Sequence, residues 1–387
     1  MNSLERRAVG GLALVYWLRM LGLFMVLPVL AAYANDYTRA TPVLIGLAVG
    51  VYGLTQAVLQ LPFGLASDRV GRIPVIVFGL VVFLAGSLVA ASAQTIEWLI
   101  IGRALQGAGA VAAAINALLA DLTRPTVRTT AMALLGLSIG MAFLVALMIG
   151  PVLPAWPGLA GVFRLAAVFA FVAILLLLML IPRPERREPT TLISGLRAAL
   201  RDSSLHPLYA GIFVLHAAMT AVFVAVPLLL SRRLGMEAGD QWSAFAPAML
   251  VSILPLPILI RLAERRGHQA AVVLLCIAMA AVALVGMTQV VATGSMLFAL
   301  SLYFAGFNLL EATMPSLVSQ AAQIEARGAA LGMYSTAQFL GAFTGGAAGG
   351  WIMSGWGMNG VLIAAGALLA SWLLFAPRTP WRTLKTA

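Results

Sequence analysis

Four ionisable side chains sit where such groups are costly to keep. Glu311, Arg19, His216 and Arg103 each lie inside a long apolar run. A charge held in a hydrocarbon setting costs at least about 2.5–3.5 kcal/mol, so it is retained for function or faces the protein interior. A buried carboxylate can take up and release a proton, and neighbouring cations change how tightly it does so. Glu311 is the only carboxylate well inside such a run, because Glu97 and Asp36 stand near run ends. We read Glu311 as a candidate proton-coupling group, tuned by Arg19 and His216, with Arg103 as a further buried charge of the same set. The alternative is a fixed structural ion pair; for Arg103 it is an arginine that snorkels to the outer interface.

No other grouping has the spacing of an enzyme site. His206, His216 and His268 are dispersed, which disfavours a metal centre, and no G-x-x-x-x-G-K-[ST] run is present, so ATP does not drive the protein directly. No cofactor and no enzyme activity are expected. Cys276 stands alone, which excludes an internal disulfide and reads as packing. The net charge of +11 raises nucleic acid as a partner, but the charges form short clusters with no basic stripe, which argues against it. Polar residues elsewhere fall on single helical faces: Tyr52, Gln56 and Gln60 at i, i+4, i+8; Asn308 and Glu311 at i, i+3; Tyr334 and Gln338 at i, i+4. Such stripes face protein or a wet cavity. With Gln106, Phe213 and Phe307 they are candidate substrate-cavity residues, interhelical hydrogen bonding and plain packing being the commoner roles. Phe24, Phe223, Phe304 and Phe339 are further candidates for an apolar lining.

The elements that must hold these residues follow from composition. Hydrophobic residues make up 62% of 387 positions and charged residues 10%, with a mean hydropathy of +1.00. A soluble domain carries about 25% charged residues, so the solvent of this chain is lipid. A run of about 20 apolar residues crosses a bilayer. Twelve are expected, at 9–34, 43–66, 73–93, 97–120, 129–153, 160–182, 208–231, 243–263, 269–291, 295–320, 328–352 and 358–377. The first resembles a cleavable signal, but it contains Arg19 and is read as a retained span. Residues 183–207 form the longest charged break and divide the chain into six-span bundles, 1–182 and 208–387. Within that break, 189–205 is expected to include a short amphipathic surface helix, with Arg197 and Arg201 at the lipid headgroups.

Arg and Lys set the orientation. With both termini inside, only Arg39, Arg164, Arg232 and Arg233 of the 24 basic residues fall outside, and Arg19 and Arg103 lie within spans. The halves echo each other: Ser67-Asp68-Arg69-Val70-Gly71-Arg72 after span 2 aligns with Ala263-Glu264-Arg265-Arg266-Gly267-His268 after span 8, and Arg128 with Arg327.

The turn after span 2, Gly64-Leu65-Ala66-Ser67-Asp68-Arg69-Val70-Gly71-Arg72, is the sharpest local signal. Gly71 permits a turn with positive φ, Gly64 permits close helix approach, and Asp68 suits a helix N-terminus. Arg72 needs a carboxylate, and Asp121 lies at its level. A plain positive-inside turn would need none of these glycines. This turn resembles the major facilitator signature G-x-x-x-D-R-x-G-R, and Arg103-Ala104-Leu105-Gln106-Gly107 resembles the R-x-x-Q-G of the same superfamily. Ile73 departs from the basic residue often found there. Gly136, Gly140, Gly150 and Pro151 match part of an antiporter pattern whose final glycines are replaced by Pro154 and Ala155. Gly341, Gly345 and Gly349 form a stripe suited to close sliding contact.

The whole chain, with Leu18–Leu30, Tyr52–Ala57 and Phe307–Ala312, is similar to the YajR group of drug:proton carriers. About ten residues follow span 12, so the soluble C-terminal domain of some relatives is not expected. The resemblance implies an all-α membrane fold of two six-helix pseudo-symmetric bundles, with a latch at Gly64, Asp68, Arg69, Gly71, Arg72 and Asp121 set against span 11. It also implies a central cavity lined by spans 1, 4, 7 and 10. Counting from span ends places Glu311 and His216 about 12 Å deep and Arg19 about 15 Å deep, at one level. The expected function is proton-coupled efflux of a small amphiphilic molecule across a bacterial inner membrane by a monomer in contact with lipid. A symporter or facilitator for a sugar or metabolite is the alternative, and a non-transporting membrane sensor a further one.

Overall fold

The computed structural model describes residues 1–150, 158–182, 192–266, 268–323 and 326–378. The first apolar run is α1 (Ser3–Phe24) and α2 (Leu27–Tyr33). The second and third are α3 (Pro42–Val70) and α4 (Arg72–Ser92), and the fourth is α5 (Ile96–Ala108) with α6 (Ala112–Asp121). Next come α7 (Pro125–Ile149), α8 (Leu159–Leu180) and the short α9 (Leu192–Arg201), which lies within the segment expected to form a surface helix. The seventh run is α10 (His206–Leu234), and the eighth is α11 (Trp242–Ile253) with α12 (Leu256–Arg266). Then α13 (Gln269–Met287) and α14 (Thr293–Ala321) precede α15 (Arg327–Phe375). The 49 residues of α15 hold the last two runs, since Gly357 breaks its helical geometry at φ 63°, ψ −165°.

Three expected spans are broken. Run 1 breaks at Met25–Val26, ahead of Pro28, which has no N–H to donate. Run 8 breaks at Leu254–Pro255. Run 4 breaks at Gly109–Val111, where Gly109 adopts φ −72°, ψ 54°. Hydropathy registers the apolar length of a run but not these interruptions. Conversely, α1 begins six residues before its apolar run. Asn2 Oδ1 accepts from the Glu5 amide at 2.8 Å and Glu5 Oε2 accepts from the Asn2 amide at 2.8 Å, a reciprocal cap.

Large apolar side chains on α4, α8, α13, α14 and α15 point away from the protein, among them Phe78, Phe171, Val282, Phe298 and Leu374. Faces of this kind are covered in a multi-pass membrane protein by hydrocarbon. By contrast α1 and α10 are the most enclosed of the spans.

Two compact units emerge: 1–40 with 51–190, and 41–50 with 191–387. In the first, α1 packs on α7 and α8, and α4 on α5 and α8. In the second, α10 packs on both limbs of α15, and α13 on α14 and α15. The same pairing order in each unit agrees with an internal repeat. Part of the sequence match behind that repeat lies on Gly267, outside the described residues, and on side chains 264–266, which are not described. Pro151, Pro154 and Ala155 also lie outside them.

Glycines bring the helices of the second unit to backbone contact. A Cβ on Gly341 or Gly345 would overlap the carbonyls of Phe213 and Ala217 on α10. On the neighbouring face of α15, Gly346 and Gly350 meet Gly46 and Gly50, which open α3, again backbone to backbone. This second crossing explains why the first ten residues of that segment group with the second unit.

Candidate functional site

The turn after α3 is built as its residue types require. Gly71 takes φ 110°, a region L side chains avoid. Ser67 Oγ donates to the Gly64 carbonyl at 2.7 Å and accepts from Arg72 Nη1 at 2.8 Å. Arg72 Nε donates to Asp121 Oδ2 at 3.1 Å, and its guanidinium also pairs with Asp68 one turn back. Asp68 thus meets Arg72, the first residue of α4. Arg69 is exposed. Gly64 is less demanding than its position in the motif implies: an added Cβ would meet Ala113 Cβ at 3.4 Å, an ordinary contact. Ser67, buried and bridging, was not singled out from the sequence, because a small hydroxyl in a turn carries no signal of its own.

Removing Arg72 leaves two carboxylates without their shared cation. Arg72→Ala is expected to destabilise the protein by about 1.5–3 kcal/mol, the range for hydrogen bonds to charged groups. The check is the thermal unfolding midpoint of the purified protein, with Gly64→Ala as a near-neutral comparison.

Inside the first unit, Arg19 is fully buried on α1. Its Nη2 donates to the Tyr52 hydroxyl at 3.2 Å, to Gln56 Oε1 at 3.1 Å and to the Gly109 carbonyl at 2.7 Å. At the break between α5 and α6 that carbonyl accepts from the Val111 amide at 3.0 Å and, in place of a helical i+4 partner, from Arg19. Phe83 lies under the Arg19 guanidinium at 5.5 Å. Arg103, 1% exposed, lies over the Tyr52 ring at 5.2 Å and donates to Gln106 Oε1 at 2.8 Å. Its burial places it in the interior, so the snorkelling reading falls. Gln106 Nε2 in turn donates to Ser87 Oγ at 2.8 Å, so both ends of that amide are used within the unit. Gly107 allows this packing: a Cβ there would overlap the Tyr52 carbonyl on α3.

The second unit holds a separate cluster. Gln338 Nε2 stands 3.0 Å from Glu311 Oε1 and 2.8 Å from His216 Nε2. Glu311 Oε2 is 3.7 Å from His216 Nε2. An amide N–H donating to both groups requires an acceptor nitrogen on His216, with the ring proton on Nδ1. Among the described residues, Glu311 Oε2, His216 Nδ1 and the Tyr334 hydroxyl are buried without a hydrogen-bond partner. Phe307 stacks on Tyr303 and its ring is 5.9 Å from His216. Asn308, one turn before Glu311, instead turns to Ser252 Oγ at 2.9 Å on α11. Phe213 is half-buried, and its carbonyl faces Gly341.

The structure therefore brings the sequence-derived candidates together in two sets. Arg19, Tyr52, Gln56, Arg103 and Gln106 belong to the first unit; His216, Glu311, Tyr334, Gln338 and Phe307 belong to the second. Ser87, Ser252 and the Gly109 carbonyl complete these networks and were missed. Only the flexible run Gly107-Ala108-Gly109-Ala110 hinted at the last.

The Major Facilitator Superfamily family model matches residues 12–343. The inner membrane transport protein YajR of Escherichia coli is 42% identical over 377 residues, spanning 96% of this chain and 83% of that protein. The multidrug resistance protein MdtH of Aeromonas salmonicida is 27% identical, over 88% of this chain and 86% of that one. The crystal structure of a D-xylose–proton symporter superposes with a TM-score of 0.80 at 16% identity, covering 99% of this chain and all of the other. The matched family, a whole-chain relative and the shared fold agree: the chain belongs to the Major Facilitator Superfamily and is a multi-pass membrane transporter of small molecules.

Proposed function

We propose that this protein exports a small, amphiphilic compound across a bacterial inner membrane by alternating access, driven by inward movement of protons. The observation that carries the reading is Glu311: a carboxylate within a span that accepts from the Gln338 amide, with its other oxygen 3.7 Å from His216 Nε2 and without a hydrogen bond. Such a group can exchange a proton without dismantling the helices around it. Arg19, His216 and Arg103 complete the coupling set, and Tyr52, Gln56, Gln106, Asn308, Tyr334, Gln338, Phe213 and Phe307 are the proposed substrate contacts. Both termini lie in the cytoplasm, where the Gly64–Arg72 turn with Asp121 serves as a latch. Export rather than import is favoured by the names of relatives such as MdtH.

The test is a thermal-shift screen of the purified protein against amphiphilic compounds, then transport of the hits in proteoliposomes. An imposed pH gradient is expected to move hits against the proton flow. Movement in the same direction as protons would establish symport instead. Binding without movement under any gradient would mark a sensor.

A further inference from the structure

The cluster around Arg19 holds more donors than acceptors. Arg19 is completely buried, and among the described residues no carboxylate lies within ion-pairing distance of it. Its Nη2 serves three neutral acceptors, but its Nε–H has none. Gln56 adds to the excess. Its carbonyl oxygen accepts from Arg19 Nη2 and from the Tyr52 hydroxyl at 3.2 Å. Both partners are donors, which fixes the orientation of the amide. Gln56 Nε2 is therefore a donor as well, and it too is buried without an acceptor. A purely structural arginine would have these protons satisfied, because an unmet buried donor is costly, and more so when charged. Arg103, over the ring of Tyr52, adds a second positive charge to the same spot. The apolar face of Phe83 closes the far side of the Arg19 guanidinium.

We propose that Arg19, Gln56 and Tyr52 form a recognition site for the anionic group of the transported compound, a carboxylate or similar oxyanion carried on an apolar body. This assignment rests on the transport reading above and narrows its substrate class. The guanidinium supplies the charge, while Arg19 Nε–H and the Gln56 amide supply two unmet hydrogen-bond donors. Anion and arginine then compensate each other in a low-dielectric setting, where such charge-assisted bonds are strongest. A cationic head would meet two arginines, and the acceptors beside Arg19 already serve its own guanidinium.

Three probes of equal chain length separate the possibilities: octanoate, octanol and octylammonium. Each is added to the protein in phosphatidylcholine nanodiscs, and the thermal unfolding midpoint and binding isotherm are recorded. Octanoate alone is expected to raise the midpoint. Arg19→Gln should weaken its binding about tenfold or more, and Arg19→Lys should retain part of it. Gln56→Glu guards against a variant that merely misfolds. It places a carboxylate beside Arg19, so it should raise the midpoint of the ligand-free protein and abolish the octanoate response. Equal shifts from octanol or octylammonium, no shift from octanoate, or an undiminished response in Arg19→Gln would overturn the proposal. Loss of the octanoate response when phosphatidylglycerol is added would assign the site to a lipid headgroup and overturn it as well. Glu311→Gln should still bind octanoate. Unchanged proton-driven transport by that variant would count against coupling through Glu311 and leave this site standing.

Discussion

Glu311→Gln is expected to abolish proton-driven accumulation while leaving the protein folded and able to bind its substrate. A pH difference of one unit is worth about 1.4 kcal/mol per proton, or about a tenfold substrate gradient for a one-proton exchange. The variant should bring that ratio to about one, with substrate still equilibrating across proteoliposomes. The geometry explains why Gln isolates the effect. It keeps the size of the side chain and an oxygen facing Gln338 Nε2 at the position of Glu311 Oε1, but it cannot take up the proton. His216→Gln should give a smaller defect, since its Nε2 reaches Glu311 at 3.7 Å and shares Gln338 with it. Unchanged gradient-driven transport by Glu311→Gln would remove Glu311 from the coupling path and leave it as a structural anchor.

Gly46→Leu is expected to be among the most damaging single substitutions in the chain. A Cβ at Gly46 would overlap the Gly346 carbonyl and the Cα of Gly350. Backbone cannot step aside as a flexible side chain does, so the start of α3 must move off α15. Overpacking typically costs about 1–3 kcal/mol, and a whole leucine against backbone belongs at or beyond the upper end. Gly136→Ala is the matching control. No atom lies within 4 Å of an added Cβ there, and replacing a helical glycine with alanine gains about 0.5–1 kcal/mol. Thermal midpoints of the two variants should therefore move in opposite directions. A Gly46→Leu protein as stable as the parent would show that the backbone crossing contributes little.

Much of the architecture was legible because lipid imposes simple rules. Apolar runs long enough to cross a bilayer marked every span, and their ends fell within a few residues of the helices except at the start of α1. There Asn2 and Glu5, a capping pair visible in the sequence, carry the helix beyond the apolar run. The turn at Gly64–Arg72 was readable to the level of partners, since the pairing of Arg72 with Asp121 needs only two opposite charges at one depth. The breaks in runs 1, 4 and 8 were not readable from hydropathy, which does not distinguish a helical glycine or alanine from one outside a helix. The second glycine crossing escaped for a related reason. Gly46-x-x-x-Gly50 and Gly346-x-x-x-Gly350 are visible as motifs, but their meeting is a long-range fact.

Sequence alone determined that this chain spans a membrane and which few charges lie inside its apolar runs. Burying a charge in hydrocarbon is so costly that its position can be read without knowing its neighbours. What only the tertiary structure decided is whom each of those charges meets. Arg19 finds the Gly109 carbonyl at the break between α5 and α6, and Glu311 finds the amide of Gln338 and the ring of His216. Hydrogen bonds act over about 3 Å, and residues 90 or 27 positions apart in the chain come within that range only through packing. Chemistry at these sites depends on such contacts, so the identity of each buried charge came from the sequence and its partners came from the fold.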